Sequence, residues 1–312
     1  MRKIFSAIVV TIMFIGVSYG QDPYSPDYQT LKEKGLIEQP AQVQYNGPIT
    51  PILPDNSTRD NGFYVPLDGT FTLAMSPNDD GYTPKLTLPF TFCFYESDYT
   101  QFYINNNGNI SFDSPYATYT PTGFPVNGYA MVAPFWADVD TRGGNGAVWY
   151  KMTTNPNRLV VIWNEVGYYY ISGDKRNTFQ LIITDGNDPL IGIGHNVAFA
   201  YGSMEWTTGD ASGGYNGFGG SPATVGINRG NGVDFALVGR FRAPGTDFIG
   251  VTSPDNQVGW LTGKRFAFNA CVEDPIIPPP EPPAPVPLSN WALYVGIALM
   301  LTFVVIRFRR IF

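Results

Sequence analysis

"LPFTFCFYESDYTQFYINNNGNISF", Leu88 to Phe112, is the stretch whose reading decides the fold. From Lys85 to Tyr95 apolar and polar residues alternate for most of the length, the period of a strand with one buried face. Gln101-Phe102-Tyr103-Ile104 and Ile110-Ser111-Phe112 then flank Asn105 to Asn109. Asn107-Gly108 between apolar runs is a strong hairpin signal, because both residue types tolerate positive φ. The same pattern continues outward. Further strands are predicted at 130–140, 146–153, 158–170, 177–184, 195–201, 222–228 and 234–241. Thr154-Asn155-Pro156-Asn157 predicts a tight turn between two of them. No long stretch carries a 3.6-residue period. Many short strands with regular punctuation predict an all-β domain, an antiparallel β-sandwich or barrel, over 63–271. Composition agrees: Tyr, Phe and Trp make up 15% of the chain, with 34 Gly and 27 Pro.

The ends differ from the body. Residues 1–20 read as a secretory signal: Arg2 and Lys3, the apolar run Ile8 to Val17, then small residues at 18 and 20 that suit cleavage before Gln21. The alternative is an uncleaved anchor. Residues 21–62 are polar and proline-dotted, an irregular lead-in with one short helix expected around Leu31 to Ile37. After Cys271, "IIPPPEPPAPVP" predicts a stiff extended stalk over 272–287. Residues 288–312 hold an uncharged apolar run followed by Arg307, Arg309 and Arg310. This predicts one transmembrane helix with a cytoplasmic C-terminus.

The middle of the chain is therefore exported. The formal net charge is −7, and the two ends hold five basic and no acidic residues, so the exported part is more acidic still. Such a surface disfavours nucleic acid and anionic lipid. Cys93 and Cys271 are the only cysteines. An even count in an oxidising compartment predicts a disulfide, with two free buried thiols as the alternative.

"APFWADVDTR", Ala133 to Arg142, carries the densest chemistry. On an extended chain Asp138, Asp140 and Arg142 share a face. A glycosidase pair would need one acid in an apolar pocket, and Arg142 opposes that by holding its neighbour ionised. Glu165 and Glu205 are the other acids available. A calcium site wants several oxygens from adjacent turns, and Asp138, Asp140, Asp79, Asp80 and Asp210 could supply them, without any EF-hand spacing. The plainest reading has Asp138 and Asp140 pairing with Arg142 and accepting backbone N–H groups. His195 is the single histidine and reads as a turn or strand-end residue. Trp136, Trp149, Trp163 and Trp206 read as core, with sugar stacking as the alternative. Tyr168-Tyr169-Tyr170 must expose at least one ring if it is a strand. "GSMEWTTGDASGGYNGFGGSP", Gly202 to Pro222, reads as an ordered loop anchored by Met204, Trp206, Tyr215 and Phe218.

Five segments in order, beginning with "LPFTFCFYESDYTQFYINNNGNISF", carry a family likeness. The others are "APFWADVDTRGGNGAVWY", "LVVIWNEVGYY", "TFQLIITDG" and "WTTGDASGGYNGFGGSPATVGINRG". Over residues 85–241 the chain resembles the nidogen-type extracellular domain, NIDO, found in nidogen, tectorin and some membrane mucins. "NDDGYT", Asn78 to Thr83, resembles versions in bacterial surface proteins. The resemblance implies an extracellular, non-enzymatic module of cell–matrix adhesion, and it supplies no catalytic residues. The tail "VPLSNWALYVGIALMLTFVVIRFRRIF" is similar to bacterial exosortase-type sorting signals, which implies either release after cutting or a permanent anchor.

The expected function is a stalked adhesion module at the cell surface or in the periplasm. Its partners would be matrix, glycan or a surface protein, with calcium as the cofactor to test. A secreted carboxylate-based glycoside hydrolase and a self-assembling envelope protein are the alternatives.

Overall fold

Alternation at Leu88, Phe90, Phe92 and Phe94 buries one face of the strand Leu86–Phe94 and leaves Thr87, Pro89 and Thr91 outside. The computed structural model describes residues 22–40, 45–55 and 64–272. The signal-like segment, the proline run and the apolar tail lie outside them. Among the described residues no helix is long and apolar enough to cross a membrane.

Two sheets make up the body. The first runs Thr50–Pro51, Phe235–Ala243, Ala223–Asn228, Met131–Trp136, Asn109–Ser111, Ser97–Asn105, Leu86–Phe94. The second runs Arg265–Phe268, Val197–Tyr201, Ser172–Thr184, Asn157–Tyr168, Ala147–Thr154, Thr72–Leu73. Val139–Asp140 adds to Asn157–Tyr168. The tight turn forms as expected, with Thr154 paired to Asn157. Antiparallel pairing is broken at one edge, where Thr50–Pro51 and Asn256–Gln257 each pair in parallel with Phe235–Ala243. Two-residue additions of this kind cover an otherwise open edge.

The sheets share one core. Phe92, Phe102, Ile104, Val132 and Ile227 of the first meet Leu159, Val161, Trp163, Phe179 and Phe199 of the second. The alternate residues of the second sheet, Val160, Ile162 and Ile182, are buried on the opposite face beneath Phe71 and Ile191. The first sheet is likewise covered outside: Met131, Ala133 and Trp136 pack with Tyr116 and Phe124. Fully burying one such side chain is worth roughly 1.5–3 kcal/mol, so the aromatic pattern accounts for the layered body.

Cys93 and Cys271 are joined, 178 residues apart in sequence. Closing a loop of this length contributes ~5 kcal/mol in a chain-entropy treatment, less any native strain.

Candidate functional site

The lead-in is built into the body. Its helix Tyr28–Glu33 places Tyr28 and Lys32 one turn apart on a buried face. The helix closes with Gly35 N–H donating to the Lys32 carbonyl and Leu36 N–H to the Leu31 carbonyl. This paired stop fixes where the last turn ends. Lys32 therefore points inward, and its side chain is 0% exposed.

Three carboxylates meet its ammonium. Lys32 Nζ donates to Asp79 Oδ2 at 2.8 Å, Asp80 Oδ2 at 2.7 Å and Asp138 Oδ1 at 2.7 Å. The rings of Tyr119 and Tyr169 flank it, their centroids 4.1 and 4.2 Å from Nζ. Asp79 and Asp80 lie on the Asn78–Gly81 turn, closed by Gly81 N–H on Asn78 Oδ1. Thr141 locks that turn to the end of "APFWADVDTR": its hydroxyl donates to the Asn78 carbonyl and accepts from the Asn78 N–H.

The buried Asn105–Asn109 turn forms the floor. It is a hairpin turn, as the sequence predicts, with Asn105 paired to Asn109. Yet Asn105, Asn106, Asn107 and Asn109 are all buried. Gly108 has φ 74°, and a Cβ there would collide with the Phe135 carbonyl. Asn107 donates to Asp80 Oδ1 at 2.7 Å and accepts from Val139 N–H at 3.0 Å. Asn106 donates to the carbonyls of Asp79 and Val139. Asn107 has both amide ends in use, and a buried amide satisfied in this way specifies one arrangement of the loops it bridges.

Burial shapes the ionisation. It pulls the Lys32 ammonium down, but the charges of Asp138, Asp80 and Asp79 together outweigh it and hold the pKa well above the ordinary lysine value. Burial pushes the Asp79 carboxyl well above its ordinary value, and the neighbouring Asp80 charge adds to that. Asp138 is pushed up to about 7 by burial, opposed by Lys32 and assisted by Asp80.

The five candidate aspartates do not share one centre. Asp79, Asp80 and Asp138 do, each with an oxygen within 4.8 Å of the others. Lys32 Nζ fills the point where their oxygens converge. Asp140 turns instead to Arg142, whose Nε and Nη2 lie at 2.9 and 2.6 Å. Asp210 is exposed on a one-turn helix, Asp210–Ser212, beside an open depression lined by Glu33, Tyr169 and Tyr170. Asp138, Asp140 and Arg142 do not form a common strand face. The strand is only Val139–Asp140, and Arg142 starts a one-turn helix. The expected Arg142 pairing holds for Asp140 and not for Asp138.

Other expectations resolve cleanly. Trp136, Trp163 and Trp206 are fully buried, which removes them as sugar-stacking surfaces, and Trp149 is half-buried. His195 sits in a turn, Nδ1 2.9 Å from the Ile191 carbonyl. Tyr168 and Tyr169 are buried while Tyr170 is exposed. Within Gly202–Pro222, Met204 and Trp206 anchor the loop, and Trp206 Nε1 donates to the Val166 carbonyl. Tyr215 was expected as a third anchor. It is instead 87% exposed, because Gly214–Tyr215 and Phe218–Gly219 form a small hairpin that turns it outward.

Lys32 and the burial of the asparagine turn beneath the cluster are what sequence reasoning missed. The available signal was a lysine one helical turn after a tyrosine, and a run of asparagines longer than a hairpin needs.

The fold and this site define a β-sandwich sealed by a disulfide and a buried charge cluster, with a glycine-rich loop displayed at its surface. Residues 56–265 match the family described as "NIDO related", and the chain belongs to that family. It is similar to Alpha-tectorin of Gallus gallus, 36% identical over 218 residues, covering 61% of this chain and 10% of the tectorin. It is also similar to Nidogen-1 of Mus musculus, 32% identical over 155 residues, covering 40% of this chain and 12% of that one. The matched region is thus about a tenth of those relatives' length. No solved structure matches the chain.

Proposed function

We propose that this chain is an exported, non-enzymatic adhesion module of the extracellular-matrix type. Its rigid sandwich presents the Gly202–Pro222 loop to a matrix protein, a glycan or a surface protein. Kinship with tectorin and nidogen supports the class. One observation carries the surface: Tyr215 projects from a hairpin whose base is fixed. Thr207 N–H donates to the Gly217 carbonyl at 2.8 Å, and the Thr208 hydroxyl donates to the Gly219 carbonyl at 2.8 Å. A large exposed ring on a braced loop is a low-entropy contact. The proline run would hold the module off the cell, and the apolar tail would anchor it or be cut for release.

Lys32 occupies the centre of the aspartate cluster, where an ion would sit, and in this reading calcium is not required for folding. The hydrolase alternative fares worse, since Asp138 is buried against Lys32. The exported chain is to be probed on a glycan and matrix-protein array, with and without chelator. The expected result is binding that survives chelator and is lost in Tyr215→Ala. Polysaccharide cleavage abolished by Asp138→Asn would replace this reading with the hydrolase. Concentration-dependent polymerisation without ligand would replace it with the envelope component.

A further inference from the structure

We propose that Lys32 and Asp138 condense into an intramolecular amide that welds the lead-in helix to the sandwich. The reactants are already in contact: Lys32 Nζ lies 2.7 Å from Asp138 Oδ1, and both side chains are fully buried. Holding an amine against a carboxyl group in one geometry replaces a bimolecular encounter with a unimolecular step.

Asp138 is the acceptor among the three carboxylates because it is the least supported. Asp80 is held at both oxygens, Oδ2 by Tyr28 OH and Lys32, Oδ1 by Asn107. Asp79 Oδ1 is also buried without a hydrogen-bond partner, but its Oδ2 takes both Gln29 and Lys32, with Arg142 at 3.8 Å. Among the described residues Asp138 Oδ1 has Lys32 alone, and Oδ2 is buried without a hydrogen-bond partner. Oδ2 instead faces the Gly209 backbone, so closely that a Cβ on Gly209 would sit 2.7 Å from it. The Asp138 carbonyl is in turn held by Tyr169 N–H at 3.2 Å.

The step balances without an oxidant or a co-reactant. The Nζ–Cγ bond forms and the Cγ–Oδ2 bond breaks. The ammonium first sheds a proton to Asp80 or Asp79, which touch it at 2.7 and 2.8 Å. The proton held by Asp80 or Asp79 is returned to the departing oxygen, so of the three protons one stays on the amide nitrogen and two leave with Oδ2 as water. In bulk water the separated ions win because both are hydrated. Here hydration is already lost, so forming a neutral amide removes one buried cation, one buried anion and an unpaired oxygen, while Asp79 and Asp80 keep Tyr28, Asn107, Gln29 and Arg142 as partners. The Tyr119 and Tyr169 rings over Nζ keep solvent from reversing it.

The test is peptide mapping of the full chain purified from its expressing cell, after reduction and denaturation. The expected result is a branched peptide joining Lys32 to Asp138, lighter by one water than its two parts. Lys32 would resist amine acetylation and trypsin even when unfolded. Lys32→Arg should restore the missing water relative to the wild-type intact mass. Because the mapping needs only wild-type protein, a variant that fails to fold does not block it. A free Lys32 peptide, or a branch at any residue other than Asp138, overturns the proposal.

Discussion

Two regions held the sequence's best candidates for binding, and they have opposite surroundings. The aspartates of Asn78–Gly81 and Asp138 are sealed around a lysine. The Gly202–Pro222 loop fixes its Trp206 in the core and turns Tyr215 to solvent. The difference teaches that charge density marks architecture in this chain, while conformational freedom around glycine marks display. Carboxylates without water are useful only to what neutralises them, and here that is the protein's own side chain.

The comparison can be broken most directly at Lys32. Lys32→Ala removes the one side chain that all three aspartates contact, leaves their buried carboxylates uncompensated and should cost about 3–5 kcal/mol. Urea denaturation measures it, and a loss below about 1 kcal/mol would mean the cluster is not a structural tie. Replacing Cys93 and Cys271 with serine should cost about 2–5 kcal/mol, read the same way.

Acidity sharpens the contrast. Asp79 is raised by burial and by Asp80, so the fold favours its protonated form. That contribution is complete below the ordinary aspartate pKa of about 4 and fades as pH climbs through the folded value. Wild-type stability, measured against Asp79→Asn at each pH, should therefore fall as pH increases above about 4. A flat difference would show that Asp79 titrates normally. At the displayed region the expected stability effect is smallest. Tyr215→Ala should stay within about 0.5 kcal/mol of wild type in thermal unfolding while losing ligand binding. Added calcium or chelator should leave the unfolding midpoint in place, since no ion is needed where Lys32 stands.

Much of the fold was legible because strand periodicity is local. The alternation in Leu86–Phe94 and the Asn-Gly hairpin need no distant partner to be read. The disulfide was legible from compartment and count alone. The site was only half legible for the converse reason. Lys32 lies 47 residues from Asp79 and 106 from Asp138, and nothing in its own neighbourhood separates a buried lysine from a solvated one. Asp138 and Asp140 look equivalent two residues apart, but a strand of two residues ends before their directions can be shared. Tyr215 looked like an anchor because aromatic rings usually are, and the hairpin that exposes it depends on Gly214 packing against the Thr208 and Gly209 carbonyls.

The Cys93–Cys271 bond also sets how the module would bear mechanical load. Tension applied to the chain beyond Val272 enters at Cys271 and passes through sulfur directly into the strand Leu86–Phe94. The pull is thus shared between that strand and Arg265–Phe268, so the last strand is not peeled from its sheet alone. A module gripping a partner through Gly202–Pro222 would spread that load over both sheets rather than concentrate it on one terminal strand.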